Sequence, residues 1–309
     1  MARSALTLVA GLSCVLVLGA GCGSIQSPTT ESSSGVPSNS TPSPSPTKLK
    51  PAADSDFDPK NFSHPLEITN QYFPMVPETR LHWKGHAFDE DDGKRIEREI
   101  DFTVSDLTKV IDGVQTRVAW DRDYSDGEME EVELIYYAHD DSGTVWYFGE
   151  YSEELDDGQI EDSPTWLGGQ QKARPGIAMQ AQPATGTKDY AEGWGPAVEW
   201  NDRAKVDQVG ASNCVPTGCY HDVVVIAEFN PDEHGKKTQL KYYAPGVGGI
   251  RTGWRGKNEK EREELELTSQ ATLSDTELAS VDKALLAEEK RAYSRRPEVF
   301  GPIAHMKKG

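Results

Sequence analysis

Residues 96–104 read Ile-Glu-Arg-Glu-Ile-Asp-Phe-Thr-Val, with bulky side chains at every second position and acids or threonine between them. This period of two is typical of a β-strand that has one face in the core and the other in solvent. Asp112-Gly113 follows as a hairpin-turn signal, and residues 114–121 alternate again. The stretch therefore predicts two antiparallel strands joined by a tight turn.

The same pattern extends along most of the chain. Asp126-Gly127 and Asp157-Gly158 mark further turns, and strand-like segments resume after an irregular, tryptophan-rich stretch at 163–200. A parallel sheet would need helical crossovers between its strands, and the pattern contains none. The sequence predicts a mainly β fold over residues 57–273, an antiparallel meander that forms a curved sheet or an open barrel.

A single helix is predicted at the C-terminus. Ser274-Asp275-Thr276-Glu277 is a capping box, and apolar residues follow it at helical spacing. We therefore assign residues 274–309 to a C-terminal helix and tail. The expected role of the helix is to dock on the sheet, and the alternative is to bind a partner.

The N-terminus has the form of an export signal. An apolar run at 6–18 leads into Gly19-Ala20-Gly21-Cys22. The run is shorter than the ~20 residues of a spanning helix, and small residues before a cysteine resemble the lipobox of bacterial lipoproteins, although Gly19 stands where leucine is usual. We expect a lipoprotein signal peptide at 1–21 and lipid, palmitate included, on the Cys22 thiol. An ordinary signal peptide and an uncleaved anchor helix are the alternatives.

Residues 22–56 are rich in serine, threonine and proline and have almost no bulky apolar side chains. Such a segment cannot offset the entropy of ordering, so it predicts a disordered tether. Together with lipid on Cys22, it places the domain on the extracytoplasmic face of the bacterial cell membrane. The expected partner there is the membrane itself, reached through the lipid anchor.

The net charge of −19 comes from one quarter of the chain. Residues 89–162 hold 25 acidic side chains and six basic ones. This balance argues against nucleic acid as a partner, because phosphate contacts need clustered lysine and arginine. We expect the acids to lie on the wet faces and turns of the first strands, including Glu131 and Glu133. Weak binding of divalent cations by these acids stays open.

Two cysteines lie close together in the C-terminal half of the chain. Cys214 and Cys219 flank a four-residue turn, and outside the cytoplasm such a pair is expected to form a disulfide. The rival interpretations are a redox pair, which usually has two intervening residues beside a helix, and half of a zinc site, which would need two further ligands.

No catalytic motif is evident in the sequence. No nucleophile elbow is present, and the sequence predicts neither a cofactor nor a metal site. The binding hypothesis therefore depends on aromatic side chains that could line a hydrophobic ligand or an envelope partner, namely Trp146, Phe148, Trp166, Trp194 and Tyr243. The enzyme hypothesis depends on a carboxylate pair among Glu150, Glu192 and Glu199, acting on an envelope polymer.

Several short motifs also carry a family resemblance. They are His64-Pro65-Leu66, Asn70-Gln71-Tyr72-Phe73-Pro74, and the segments 110–118, 143–150, 172–179 and 241–248. In combination they resemble a family of uncharacterised secreted bacterial proteins that is common in actinobacteria, over about residues 62–300. The resemblance implies an extracytoplasmic β-rich domain and no particular reaction or ligand. The Cys214–Cys219 pair departs from the family pattern.

The sequence therefore predicts a membrane-anchored extracytoplasmic lipoprotein that acts as a non-catalytic binding or structural module of the cell envelope. The alternative is a hydrolase of an envelope polymer that uses a carboxylate pair.

Overall fold

The computed structural model describes residues 57–88, 93–231, 238–256 and 262–309. The predicted signal peptide, Cys22, the predicted tether and the acidic residues 89–92 lie outside these ranges. Within them, sixteen strands form one antiparallel sheet. The strands are β1 Thr79–Phe88, β2 Arg95–Ile111, β3 Val114–Ser125, β4 Glu128–His139, β5 Val145–Asp156, β6 Gln159–Asp162, β7 Thr165–Leu167, β8 Arg174–Met179, β9 Tyr190–Ala191, β10 Gly193–Trp194, β11 Arg203–Val215, β12 Gly218–Phe229, β13 Thr238–Ala244, β14 Gly248–Arg255, β15 Glu264–Thr272 and β16 Lys307–Lys308.

The sheet consists of two meanders joined through their outermost strands. Strands β1–β5 form the first arm and β11–β15 form the second, and the two arms meet where β1 pairs with β15. This topology confirms the predicted mainly β, antiparallel curved sheet. One short stretch of chain contributes the last strand at each end of the sheet. Its strand β9 pairs with β11 at one end, its strand β10 pairs with β8 at the other, and only Glu192 separates β9 from β10. Among the strands that the structure describes, no ladder closes the sheet into a barrel.

The predicted turns are present, and their backbone angles explain the residues that form them. Asp112 and Gly113 have φ of 48° and 82°, and Asp126 and Gly127 have 48° and 85°. Two successive positive φ values are the mark of the type I′ hairpin, which Asp-Gly adopts at low cost. Gly246, at φ 74°, occupies the position of a type II turn that needs a positive φ.

The inner face of the sheet and the outer face of its first arm are both covered. The inner faces of the two arms pack against each other and form an inner core that includes Phe102, Ile135, Tyr147, Trp166, Trp200, Val206, Ile226 and Tyr243. The outer face of the first arm is covered by two C-terminal helices, α1 Asp275–Arg295 and α2 Pro297–Phe300. The capping box is present, with Ser274 and Glu277 bonded reciprocally. The helix docks on the sheet, as expected.

The expectation that the acids lie on wet faces is wrong for the middle of the first arm. Asp121, Asp123 and Glu133 are only 2–3% exposed, although the turn acids Asp126 and Asp157 do lie in solvent. The predicted alternation of side chains along each strand is correct, but the face that we assigned to solvent is buried here. Because the sheet curls and the helices cover its outer side, the middle of the first arm is buried on both faces.

Candidate functional site

An apolar cavity lies where the two arms of the sheet meet. Its volume is ≈ 90 Å³, enough for several water molecules or a short alkyl chain. Concave, mostly apolar spaces with a few polar groups are the usual form of small-molecule sites. The apolar lining comes from Phe73, Pro74, Met75, Leu81, Trp83, Ile100, Phe102, Tyr243, Val247 and Leu265.

The cavity exists in part because two glycines follow the turn at the start of β14. A Cβ on Gly249 would lie 3.7 Å from Trp83 Cζ2 and 3.9 Å from Tyr243 Cε1, which are ordinary contact distances. A side chain at this position would therefore fit its immediate neighbours and extend among residues that line the cavity. Gly248 is different, because its φ of +99° disfavours any other residue.

Two buried charged side chains from different arms line the cavity. Asp121 lies on β3 and Lys241 on β13, and both are more than nine-tenths buried. The Arg122 backbone N–H donates a hydrogen bond of 3.0 Å to Asp121 Oδ1. The Lys241 ammonium makes no hydrogen bond or ion pair with the residues that the structure describes, so it is a buried cation without a direct partner.

Burial dominates the electrostatics of Asp121. It raises the pKa of the Asp121 carboxyl well above its ordinary value, and the neighbouring Asp123 raises it further. Lys241 acts in the opposite direction on this carboxyl and also on Asp123, Glu192, Glu228 and Glu263. Lys241 is thus near five carboxyl groups without being bonded to any of them.

Arg98 is a second buried cation on the inner side of the sheet, and its surroundings differ. Its guanidinium lies 2.7 Å from Glu130 Oε2 and 3.5 Å from both Asp123 Oδ2 and Glu263 Oε1. The interior therefore supplies direct partners to Arg98 but not to Lys241. This contrast singles out Lys241 as the cation available to a ligand.

The inner face of the first arm carries a band of acids on neighbouring strands. Asp121 is paired with Glu133, and Asp123 with Glu131. Burial raises the pKa of Glu131 to about 8, although a hydrogen bond from the Ser152 hydroxyl opposes it. Because adjacent buried carboxylates cannot all ionise, the band retains protons at neutral pH. Among the described residues, no three or more histidine, cysteine, aspartate or glutamate side chains are placed to hold a metal ion.

The aromatic residues predicted to bind a ligand are not brought together. Tyr243 lines the cavity, and Trp166 lies elsewhere in the inner core. Trp194 lies at the end of the sheet, in β10. Trp146 and Phe148 face the opposite side of the first arm, where they pack under the helices. Of the five, only Tyr243 is a neighbour of Asp121 and Lys241.

The three carboxylates considered for catalysis are also dispersed. Glu150 is buried on β5 and accepts a hydrogen bond from the Tyr147 hydroxyl. Glu192 is buried between the two sheet ends, where burial, and then Glu228, raises its pKa. Glu199 is exposed in a turn with φ 59°. None of the three lines the cavity.

Cys214 and Cys219 form a disulfide that joins the ends of β11 and β12, with their Cα atoms 4.0 Å apart. Both residues are exposed at the tip of this hairpin and are not part of the cavity. The bond is a covalent link across a turn, as the spacing predicted.

Sequence reasoning missed Asp121 and Lys241. The available signal was the phase of Lys241, which shares the inward side of β13 with Tyr243 while its neighbours point outward. A lysine in phase with core positions is unusual, because long charged side chains are rarely buried without a partner. What the sequence could not supply is the strand order and the curl of the sheet that bring β13 near β3.

Among the helices that the structure describes, none is long and apolar enough to cross a membrane.

No protein-family model matches the sequence, and no curated protein matches it. Solved structures to which this chain shows a weak similarity include a protein of Bacteroides fragilis that is described as exported and as having a YmcC-like fold, at 13% identity and a TM-score of 0.38. They also include a lipoprotein of Parabacteroides distasonis, at 12% identity and a TM-score of 0.35. Each match covers 65% of this chain and 99% of the other. At this level of similarity, neither description is transferred to this chain.

Proposed function

We propose that this chain is an extracytoplasmic lipoprotein of the bacterial cell envelope that binds a small, partly apolar molecule in the cavity between its two arms. The observation that carries the proposal is the cavity itself, an apolar space with one unpartnered cation and one carboxyl group on its wall. The membrane is the second partner, reached through lipid on Cys22.

The location is supported by two independent features. The N-terminal sequence ends its apolar run in Gly19-Ala20-Gly21-Cys22, which is similar to a lipobox. The Cys214–Cys219 disulfide is of the kind that persists in oxidising compartments. The resemblance to secreted proteins of actinobacteria belongs to this proposal and agrees with the same location.

Binding is supported by the chemistry of the cavity wall. Each methylene group that a ligand buries there contributes roughly 0.8 kcal/mol, so a four-carbon chain would contribute about 3 kcal/mol. The polar groups of the wall fix the orientation of a ligand, since Lys241 and Asp121 can bind only a group of complementary charge and hydrogen-bonding type. An apolar space with such groups favours selective binding over a purely structural role.

The geometry supports catalysis less well. A glycosidase-type mechanism needs two carboxyl groups that flank one bond, about 5–10 Å apart. Asp121 is the one carboxyl among the described residues that line the cavity, and Glu199 is exposed elsewhere. A hydrolase therefore remains the weaker alternative.

Native mass spectrometry of the chain from its own host tests the binding proposal. We expect a co-purifying small molecule in the wild type and its loss in Gly249→Val, which places a side chain in the cavity. Gly253→Val is the matched control, because it lies on the same strand, its Cβ would meet only Tyr242 at 3.7 Å, and it does not line the cavity. A wild-type chain that has only the mass of the protein without ligand, or an equal fraction of ligand-bound chain in both variants, would contradict the proposal.

A further inference from the structure

The Lys241 ammonium is the least satisfied polar group of the cavity. It is a donor-only group with three N–H bonds, it is 6% exposed, and it has no bonded partner among the described residues. Burying a charge without hydrogen bonds is costly, so proteins normally pair such groups. The missing acceptor is the feature that a bound ligand would explain.

The other cation of the cavity wall already has partners. Arg251 is about one-third exposed, and its guanidinium lies 3.8 Å from Glu266 Oε1 and 4.0 Å from Glu264 Oε2. These contacts place two counter-charges beside the guanidinium, although both distances are longer than a hydrogen bond. An acceptor inside the cavity would therefore bind at Lys241 rather than at Arg251.

The nearby carboxyl groups do not exclude an anion. Burial raises the pKa of all five carboxyl groups near Lys241, namely Asp121, Asp123, Glu192, Glu228 and Glu263, and so disfavours their charged forms. In its protonated form, which burial favours, Asp121 is itself a hydrogen-bond donor on the cavity wall. Lys241 and Asp121 together then offer donors to one acceptor group.

We propose that the cavity binds a small monocarboxylic acid, with its carboxylate on the Lys241 ammonium and its alkyl or aryl part against Trp83, Phe102 and Leu265. This inference rests on the proposed function and names the ligand class of the same site. The volume of ≈ 90 Å³ limits the buried part to a short chain or a single ring. A longer chain would have to extend outside the cavity.

Calorimetric titration with three ligands of equal chain length tests the inference. Hexanoate, hexanol and hexylamine share their apolar part and differ only in the polar group. We expect the wild-type chain to bind hexanoate at least about tenfold more tightly than hexanol, because hydrogen bonds to a charged group contribute more than neutral ones. Hexylamine should bind most weakly, because its ammonium would be repelled by Lys241.

Two variants connect the preference to Lys241. Lys241→Met removes the charge and keeps an unbranched side chain of similar length. It should abolish the difference in affinity between hexanoate and hexanol. Lys205→Met makes the same charge change on the exposed side of β11 and should leave the difference intact. If Lys241→Met does not fold, the order of the three ligands on the wild-type chain still decides the question.

The outcomes separate this inference from the proposed function. Equal affinity for hexanoate and hexanol, or tighter binding of hexylamine, would overturn the carboxylate assignment and leave a binding cavity. Failure of all three ligands to bind, together with a clean native mass, would overturn the binding function and the carboxylate assignment together.

Discussion

Asp121 and Lys241 line the same cavity although their strands are five positions apart in the order of the sheet. Neighbouring strands are separated by about 4.8 Å, so a flat sheet would place β3 and β13 about 24 Å apart. The curl of the sheet therefore creates the site. Any change that flattens the sheet should separate the two residues and reduce ligand binding.

The first prediction concerns the close approach at the ends of the sheet. A Cβ on Gly176 would lie 2.2 Å from the backbone carbon of Glu192, and backbone atoms cannot move aside as a flexible side chain can. Gly176→Ala should therefore destabilise the fold by about 1–3 kcal/mol or more. Urea unfolding measures this loss. Gly253→Ala is the control, and an equal loss in both variants would refute the role of this contact.

The second prediction concerns the pH dependence of stability through Glu288. Burial, and then Glu153, raises the pKa of this carboxyl to about 8 from 4.5, and the Trp120 indole N–H donates to it at 2.9 Å. A raised pKa means that the folded state holds the proton more tightly. Its contribution to stability is full below pH 4.5 and is lost as the pH rises through 8.

Glu288→Gln removes this titration while keeping an acceptor for Trp120. Relative to the wild type, the variant should gain about 4 kcal/mol of unfolding free energy between pH 5 and pH 9. Urea unfolding at both pH values measures the gain. Glu298→Gln, on an exposed position of α2, should show no such change, and a flat difference for Glu288→Gln would show that Glu288 is ionised in the fold.

The third prediction concerns the ion pair that joins the C-terminal segment to the sheet. Lys109 Nζ lies 2.7 Å from Glu289 Oε1 and donates to the Ala304 carbonyl at 2.8 Å, and both charged side chains are buried. Glu289→Gln should cost about 3 kcal/mol, because it leaves the ammonium buried without a counter-charge. Urea unfolding of this variant gives the cost directly.

A surface pair provides the comparison. Lys84 and Glu99 are 2.8 Å apart but 54% and 39% exposed, and such pairs contribute less than about 1 kcal/mol. Glu99→Gln should therefore change stability little. A similar loss in Glu99→Gln and Glu289→Gln would contradict the importance of burial.

The fourth prediction concerns the membrane anchor. Cys22→Ala removes the thiol that would receive lipid, so the chain should leave the membrane fraction. In the wild type, globomycin should cause the unprocessed precursor to accumulate. Immunoblots of the fractions measure both effects, and membrane association unchanged in Cys22→Ala would refute the lipid anchor.

Local patterns were sufficient to predict the strands and turns of this fold. The turn at Asp112-Gly113 and the strand around Phe102 depend only on residues that are close in the chain, so the sequence predicts them directly. The burial of Glu133 could not be predicted in this way, because it depends on the second arm and on the helices covering both sides of β4. The same applies to the pairing of β1 with β15, which involves residues nearly the whole domain apart.

The site was harder to predict than the fold for the same physical reason. Tyr243 could be named from its residue type, and it does line the cavity. Trp146 and Phe148 have the same chemistry but lie on the other face, where the helix covers them. Which aromatic residue meets Lys241 is decided by the curl of the sheet and not by the residues beside it in the chain.

The binding claim is tested most directly by methyl NMR of the chain during titration with hexanoate, hexanol and hexylamine in turn. Met75 and Leu265 line the cavity, whereas Leu134 on β4 and Leu285 on α1 belong to the core between the helix and the outer face of the sheet. We predict saturable shifts at Met75 and Leu265 with at least one of the three ligands, no shift at Leu134 and Leu285, and loss of the response in Gly249→Val. The absence of a saturable shift at the cavity methyls with all three ligands, or equal responses at all four positions, would contradict the existence of a ligand site between the two arms.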